Sequence, residues 1–161
     1  MATNPKRQLA SIALIVAGAL IVAGSLLPWV SATAAFVGTV SRSGIDGGGD
    51  GVITLVVGIV VALLGVLGLI QLDHAGVFVL GLIGGLIGLG TAWVNYDEVQ
   101  NRVASFTSTA GEFGVASVGS GIWILGTGSV LAMVAGFLGL FAGEQKTENS
   151  LSQTPPRRDL S

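Results

Sequence analysis

The chain has 161 residues, of which 51% are apolar and only 10% are charged, with a mean hydropathy of +0.82. A soluble domain carries about 25% charged residues, so this chain has too few to coat a water-facing surface and reads as an integral membrane protein of one domain. A net charge of −2 offers nucleic acid no electrostatic footing, the lack of cysteine excludes disulfides and thiolate chemistry, and a single histidine excludes a multi-histidine metal site within one chain.

A bilayer-crossing helix needs roughly 20 mostly apolar residues. Four segments meet that length: 9–30, 52–72, 75–96 and 119–142. No Asp, Glu, Lys, Arg or His falls inside any of them. The expected fold is therefore an all-α integral membrane protein, a four-transmembrane-helix bundle. Its orientation follows from the basic residues. Lys6, Arg7, Lys146, Arg157 and Arg158 flank the termini, and only Arg42 and Arg102 lie in the 31–51 and 97–118 connections. Basic residues favour the cytoplasmic side, which predicts both termini inside. Trp29, Trp93, Tyr96 and Trp123 then fall near the outer ends of spans, where interfacial aromatics collect. A signal peptide ending at "SATAA" is the rival reading of the start, but its apolar run exceeds the ~7–15 residues of a signal core.

Residues 31–45, "SATAAFVGTVSRSGI", follow the first span and lack a helical stripe. They read equally as a hairpin turning near Gly38 or as an irregular loop. The next stretch, "DGGGDG", admits three readings. As a calcium loop starting at Asp46 it has Asp50 and Gly51 in place, but Gly48 and Val57 stand where a ligand and the closing glutamate belong. As a phosphate cradle it lacks the GK[ST] ending. As helix entry it needs no further residues: Asp50 serves as N-cap and its charge suits the positive helix end. Helix entry is the preferred reading, with Asp46 and Asp50 the only candidate metal ligands.

The link between the second and third spans, "LDHA", predicts a tight antiparallel hairpin, with His74 a solvated turn residue. Beyond the third span, Val99, Val103, Phe106, Ala110 and Phe113 form a helical stripe. It predicts an amphipathic helix near 97–111 that caps the bundle or lies on the membrane surface. With segment 31–45 it would form a small extracytoplasmic cap. Residues 143–161 are polar and proline-bearing, and are expected to be a disordered cytoplasmic tail.

Helices in lipid associate through close contact of small residues. The third span offers Gly81, Gly84, Gly85 and Gly88, and the fourth offers Gly128, Ala132, Gly136 and Gly139. Packing within the chain is the first expectation for these rows; a surface for a partner helix or a second copy is the sharper one. A shift of 70 residues also lays the second span on the fourth, matching Gly58 to Gly128 and Ala62 to Ala132, while Trp29 and Trp93 close the first and third spans. The pattern suggests two parallel repeated hairpins, with chance matching among 26 glycines as the competing explanation.

The segments "LLPWVS", "GIDGGGDGVITLVVG" and "GSGIWILGTG" together resemble a group of small, uncharacterised four-span membrane proteins of actinobacteria and related bacteria. The resemblance implies a bacterial plasma-membrane protein and no assigned activity. The topology is also similar to that of claudin-like tetraspans, although their outer-loop tryptophan and cysteine motif is absent. No catalytic constellation and no cofactor site is legible. The expected role is a non-enzymatic interaction or accessory subunit, in contact with membrane lipids and with another membrane protein or a second copy of itself. The alternative is a homo-oligomeric channel or transport component.

Overall fold

The computed structural model describes residues 5–34, 38–46, 49–70, 75–110 and 114–152, and the side chains within them except those of 109–110 and 143–152. Its elements run α1 (Pro5–Leu26), β1 (Pro28–Ala34), β2 (Gly38–Ser43), α2 (Asp50–Ile70), α3 (Ala75–Ala110), β3 (Gly114–Val118) and α4 (Ser120–Ser152). Four helices are long and apolar enough to cross a membrane, and they fit a membrane protein. The expectation of an all-α fold needs correction: a three-stranded antiparallel sheet, ordered β2-β1-β3, sits at one end of the bundle.

Several boundaries differ from the sequence expectation. The first helix ends at Leu26 rather than near Val30, because Pro28 cannot donate the next helical bond and the chain turns into β1. The stripe at 97–110 is not a separate surface helix. It continues α3, whose 36 residues give about 54 Å of helix at 1.5 Å per residue, against a hydrocarbon core of about 30 Å. The last turns of α3 therefore project past the bundle, where Val99 is buried and Val103 joins the edge of the core. Residues 31–34 and 38–43 lie in the paired strands β1 and β2 rather than in an irregular loop. The fourth helix runs on to Ser152, so the first part of the expected disordered tail is helical. The remaining tail (153–161), the "LDHA" turn with His74 (71–74) and Phe113 lie outside the described residues.

The helices pack antiparallel in the circular order α2, α1, α4, α3. The interfaces are set by glycines. A Cβ on Gly18 of α1 would stand 2.6 Å from the Gly58 carbonyl oxygen of α2, and one on Gly24 would stand 2.5 Å from the Leu125 backbone of α4. Across the centre, Leu14 of α1 fills the space that a side chain at Gly81 of α3 would take. Two interfaces repeat one contact. Gly65 and Gly68 of α2 approach the Ser11 carbonyl and hydroxyl, and Gly85 and Gly88 of α3 approach the Ser129 carbonyl and hydroxyl. Each serine hydroxyl lies 2.5 Å from where a Cβ on the second glycine would stand, so neither glycine has room for a side chain. Ser129 also donates to the Leu125 carbonyl at 2.8 Å, whereas the buried Ser11 hydroxyl has no conventional partner.

The positions matched by the 70-residue shift do not take the equivalent places that two parallel repeated hairpins would give them. Gly58 and Gly128 both face α1, where a parallel repeat would turn Gly128 toward α3. Trp29 is buried in β1, and Trp93 is exposed on a helix that continues past it.

Candidate functional site

The sheet end of the bundle gathers most of the polar and aromatic residues. Its organising side chain is Trp29. The Gly24 carbonyl would ordinarily accept from the amide four residues on, but that residue is Pro28, which has no N–H. The Trp29 indole N–H takes its place, donating to the Gly24 oxygen at 2.9 Å. The ring then lies against two glycines: a Cβ on Gly44 would stand 2.5 Å from the indole, and one on Gly121 would stand 2.7 Å from it. Trp29 is only 6% exposed. It therefore departs from the lipid-facing belt expected of it, because protein backbone covers it. The Trp29 carbonyl accepts from Gly119 N–H at 2.8 Å, which ties β1 to the start of α4.

The two candidate metal ligands are engaged separately. The Asp46 carboxylate accepts from the backbone N–H and the hydroxyl of Ser43, each at 2.8 Å. These two bonds, with a smaller contribution from Arg42, hold the exposed Asp46 carboxyl below its ordinary pKa against a small opposing effect of burial. Asp50 is not the N-cap. Gly49 is: its carbonyl accepts the first helical bond, from Ile53 N–H at 3.0 Å, and its φ of +88° is one that side-chain-bearing residues rarely adopt. Asp50 lies in the first turn of α2 and accepts from Asn95 Nδ2 of α3 at 3.0 Å. Among the described residues, no group of three or more His, Cys, Asp or Glu side chains is placed to hold a metal ion.

Beside this pair, a buried hydroxyl chain links α1 to α2. Ser25 donates to Thr54 at 2.9 Å, and Thr54 donates to the Gly51 carbonyl at 3.0 Å. Farther round, Tyr96 and Trp123 meet edge-to-face with centroids 5.7 Å apart, and Gln100 donates to the Tyr96 hydroxyl at 2.7 Å. Trp93 and Trp123 are 73% and 62% exposed, which suits side chains that face lipid or its interface.

The small-residue rows of the third and fourth spans are consumed inside the chain. Gly81 meets Leu14, Gly84 meets Val61, and Gly85 and Gly88 meet Ser129. On α4, Gly128 meets α1, Ala132 is fully buried, and Gly136 and Gly139 receive Phe78. Neither row is left open as a face for a partner helix.

Among the described residues the sheet has two edges, β3, which lies against α3, and β2, which is the more exposed. It is an edge strand, paired to β1 on one side only, and five of its six residues are exposed, among them Val40 at 58%. An edge strand presents unpaired N–H and C=O groups that accept an added strand. Sequence reasoning found the hairpin as one of two readings but not its role as an edge, since β3, "GVASV", has too few large side chains to signal a strand. No protein-family model matches the chain, and no curated protein matches it.

Proposed function

We propose that this is a non-enzymatic bacterial plasma-membrane protein that acts as an interaction or accessory subunit, with both termini in the cytoplasm and the sheet outside. The observation that carries the reading is the exposed edge of β2. The glycine rows that would otherwise recruit a partner helix are occupied within the bundle, so the partner meets the outer sheet. It adds an extended segment to β2, as strand-addition complexes do. The basic residues around the termini support the orientation.

Purification in mild detergent tests this reading. A stable heteromeric complex that dissociates in the Val40→Lys variant is the expected result, because a lysine on an edge strand opposes strand addition. A closed homo-oligomer that conducts ions in liposomes would replace this reading with that of a channel. Cysteine labelling at Ser43 and Ser150 checks the orientation: labelling of Ser43→Cys from outside intact cells, and not of Ser150→Cys, is expected.

A further inference from the structure

The strand register divides the side chains of the sheet between two faces. Arg42 of β2 stands beside Val30 of β1, and Val30 beside Val118 of β3. Val40, Ala32 and Ala116 form the next row on that face. The opposite face carries Ser41, Ser31 and Ser117 in one row, and Thr39 and Thr33 in the other, joined by a hydrogen bond at 2.9 Å. The first face is the inner one. Val30 and Val118 pack on the core that includes Val99 of α3, and Ala116 and Val118 are less exposed than Val115 and Ser117. α3 packs on β3 and on β1. Toward β2 that cover thins, and the inner face ends in Val40, 58% exposed, and in the exposed Arg42.

We infer that the segment added to β2 is an amphipathic strand, with an apolar residue opposite Val40, an acidic residue opposite Arg42 and small polar residues on its other face. The inference rests on the strand-addition reading and names the chemistry of the partner within it. Side chains alternate along an added strand, so its two sides extend the two faces already present. An apolar residue beside Val40 lengthens the inner row and removes that valine from water. Arg42 is the one charged residue of the three strands. It makes the smallest contribution to lowering the Asp46 carboxyl, which Ser43 already holds through two bonds. Its guanidinium fork has donors for a second carboxylate. Opposite charges directly across neighbouring strands stabilise the pair, and like charges oppose it. On the outer side, hydroxyl-bearing residues can pair across strands as Thr33 and Thr39 do. A second copy of β2 would bring no acid to Arg42.

The full chain in mild detergent is offered the hexapeptide Thr-Glu-Thr-Val-Thr-Val. Laid antiparallel on β2, it sets Glu opposite Arg42 and Val opposite Val40. A second peptide has Lys in place of Glu, and a third is the isomer Thr-Thr-Glu-Val-Val-Thr, which breaks the alternation. Each carries a photoreactive group, and crosslinks to β2 are quantified by mass spectrometry. The first is expected to be captured about five-fold more than the second, the effect of exchanging a like-charge pair for an opposite-charge one, and more than the third. Arg42→Glu is expected to reverse the order of the first two, and Arg42→Lys to keep it. Arg42 is exposed, so its variants keep the fold. Equal capture of the first peptide and either control, an unchanged order in Arg42→Glu, or capture of none overturns the inference. So does a dimer joined through β2. Strand addition itself is judged separately by the Val40→Lys complex, which does not depend on the charge at Arg42.

Discussion

Asn95 of α3 donates one bond to the Asp50 carboxylate of α2 at 3.0 Å and a second to the Thr91 carbonyl of its own helix at 2.9 Å. The pair clamps the first turn of α2 to the level at which α3 leaves the bundle. Hydrogen bonds to charged groups are worth about 1.5–3 kcal/mol when shielded, but Asp50 is exposed, which lowers the value. Asn95→Leu is expected to cost about 1 kcal/mol in reversible unfolding. A double-mutant cycle with Asp50→Ala, which removes the acceptor, should show coupling; fully additive effects would mean that the bond contributes nothing.

The glycines divide into two classes with opposite expected responses. A side chain at Gly85 would meet the Ser129 backbone oxygen at 2.8 Å, and that backbone cannot move without its helix. Gly85→Leu is expected to prevent folding, or to cost more than about 3 kcal/mol. Gly90 and Gly126 face open space in helices. Alanine at either should leave the fold intact and stabilise it by up to about 1 kcal/mol. Thermal melting of the three variants in detergent checks the ranking.

Trp29 makes a bond that the helix backbone cannot, since Pro28 leaves the Gly24 carbonyl without a donor. Trp29→Phe keeps most of the ring packing but strands that oxygen, and is expected to cost about 1–3 kcal/mol. Trp29→Ala also opens a cavity and should cost about 3–5 kcal/mol. Fluorescence gives an independent check: emission from Trp29 should resist a quencher carried in the lipid or detergent, in contrast to that from the exposed Trp93 and Trp123.

The Ser43–Asp46 turn should respond to acid. Its bonds depress the Asp46 carboxyl in the folded protein, so their contribution is complete above the ordinary aspartate value of 3.8 and is lost as pH falls through the lower folded value. Carboxyl NMR of Asp46 should show a titration below 3.8 in wild type and a return toward that value in Ser43→Ala, which removes one of the two donors.

The spans were legible because unbroken apolar runs leave little alternative in a chain this hydrophobic. Their ends were less so. "PWV" continues the apolar run of the first span, and only the missing N–H of Pro28 ends the helix before it. Asp97 and Glu98 read as the start of a new helix, but both are exposed on a helix that simply emerges from the bundle. The burial of Trp29 was hidden because it depends on Gly44 and Gly121, which lie far along the chain from it. Helix entry at residues 46–51 was read correctly in kind but off by one residue, since a positive φ at Gly49 is a backbone property that a run of glycines does not assign. The edge of β2 depends on the sheet order and could not be read from local pattern alone.

The proposed role is tested most directly by site-specific crosslinking from β2 in intact cells, with a photoreactive maleimide on Ser41→Cys. The account predicts a crosslink to one distinct membrane protein, absent when Val40→Lys is added, while a probe on the buried face of the bundle yields none. Crosslinks from β2 only to lipid, or a partner captured equally well in the presence of Val40→Lys, would contradict it.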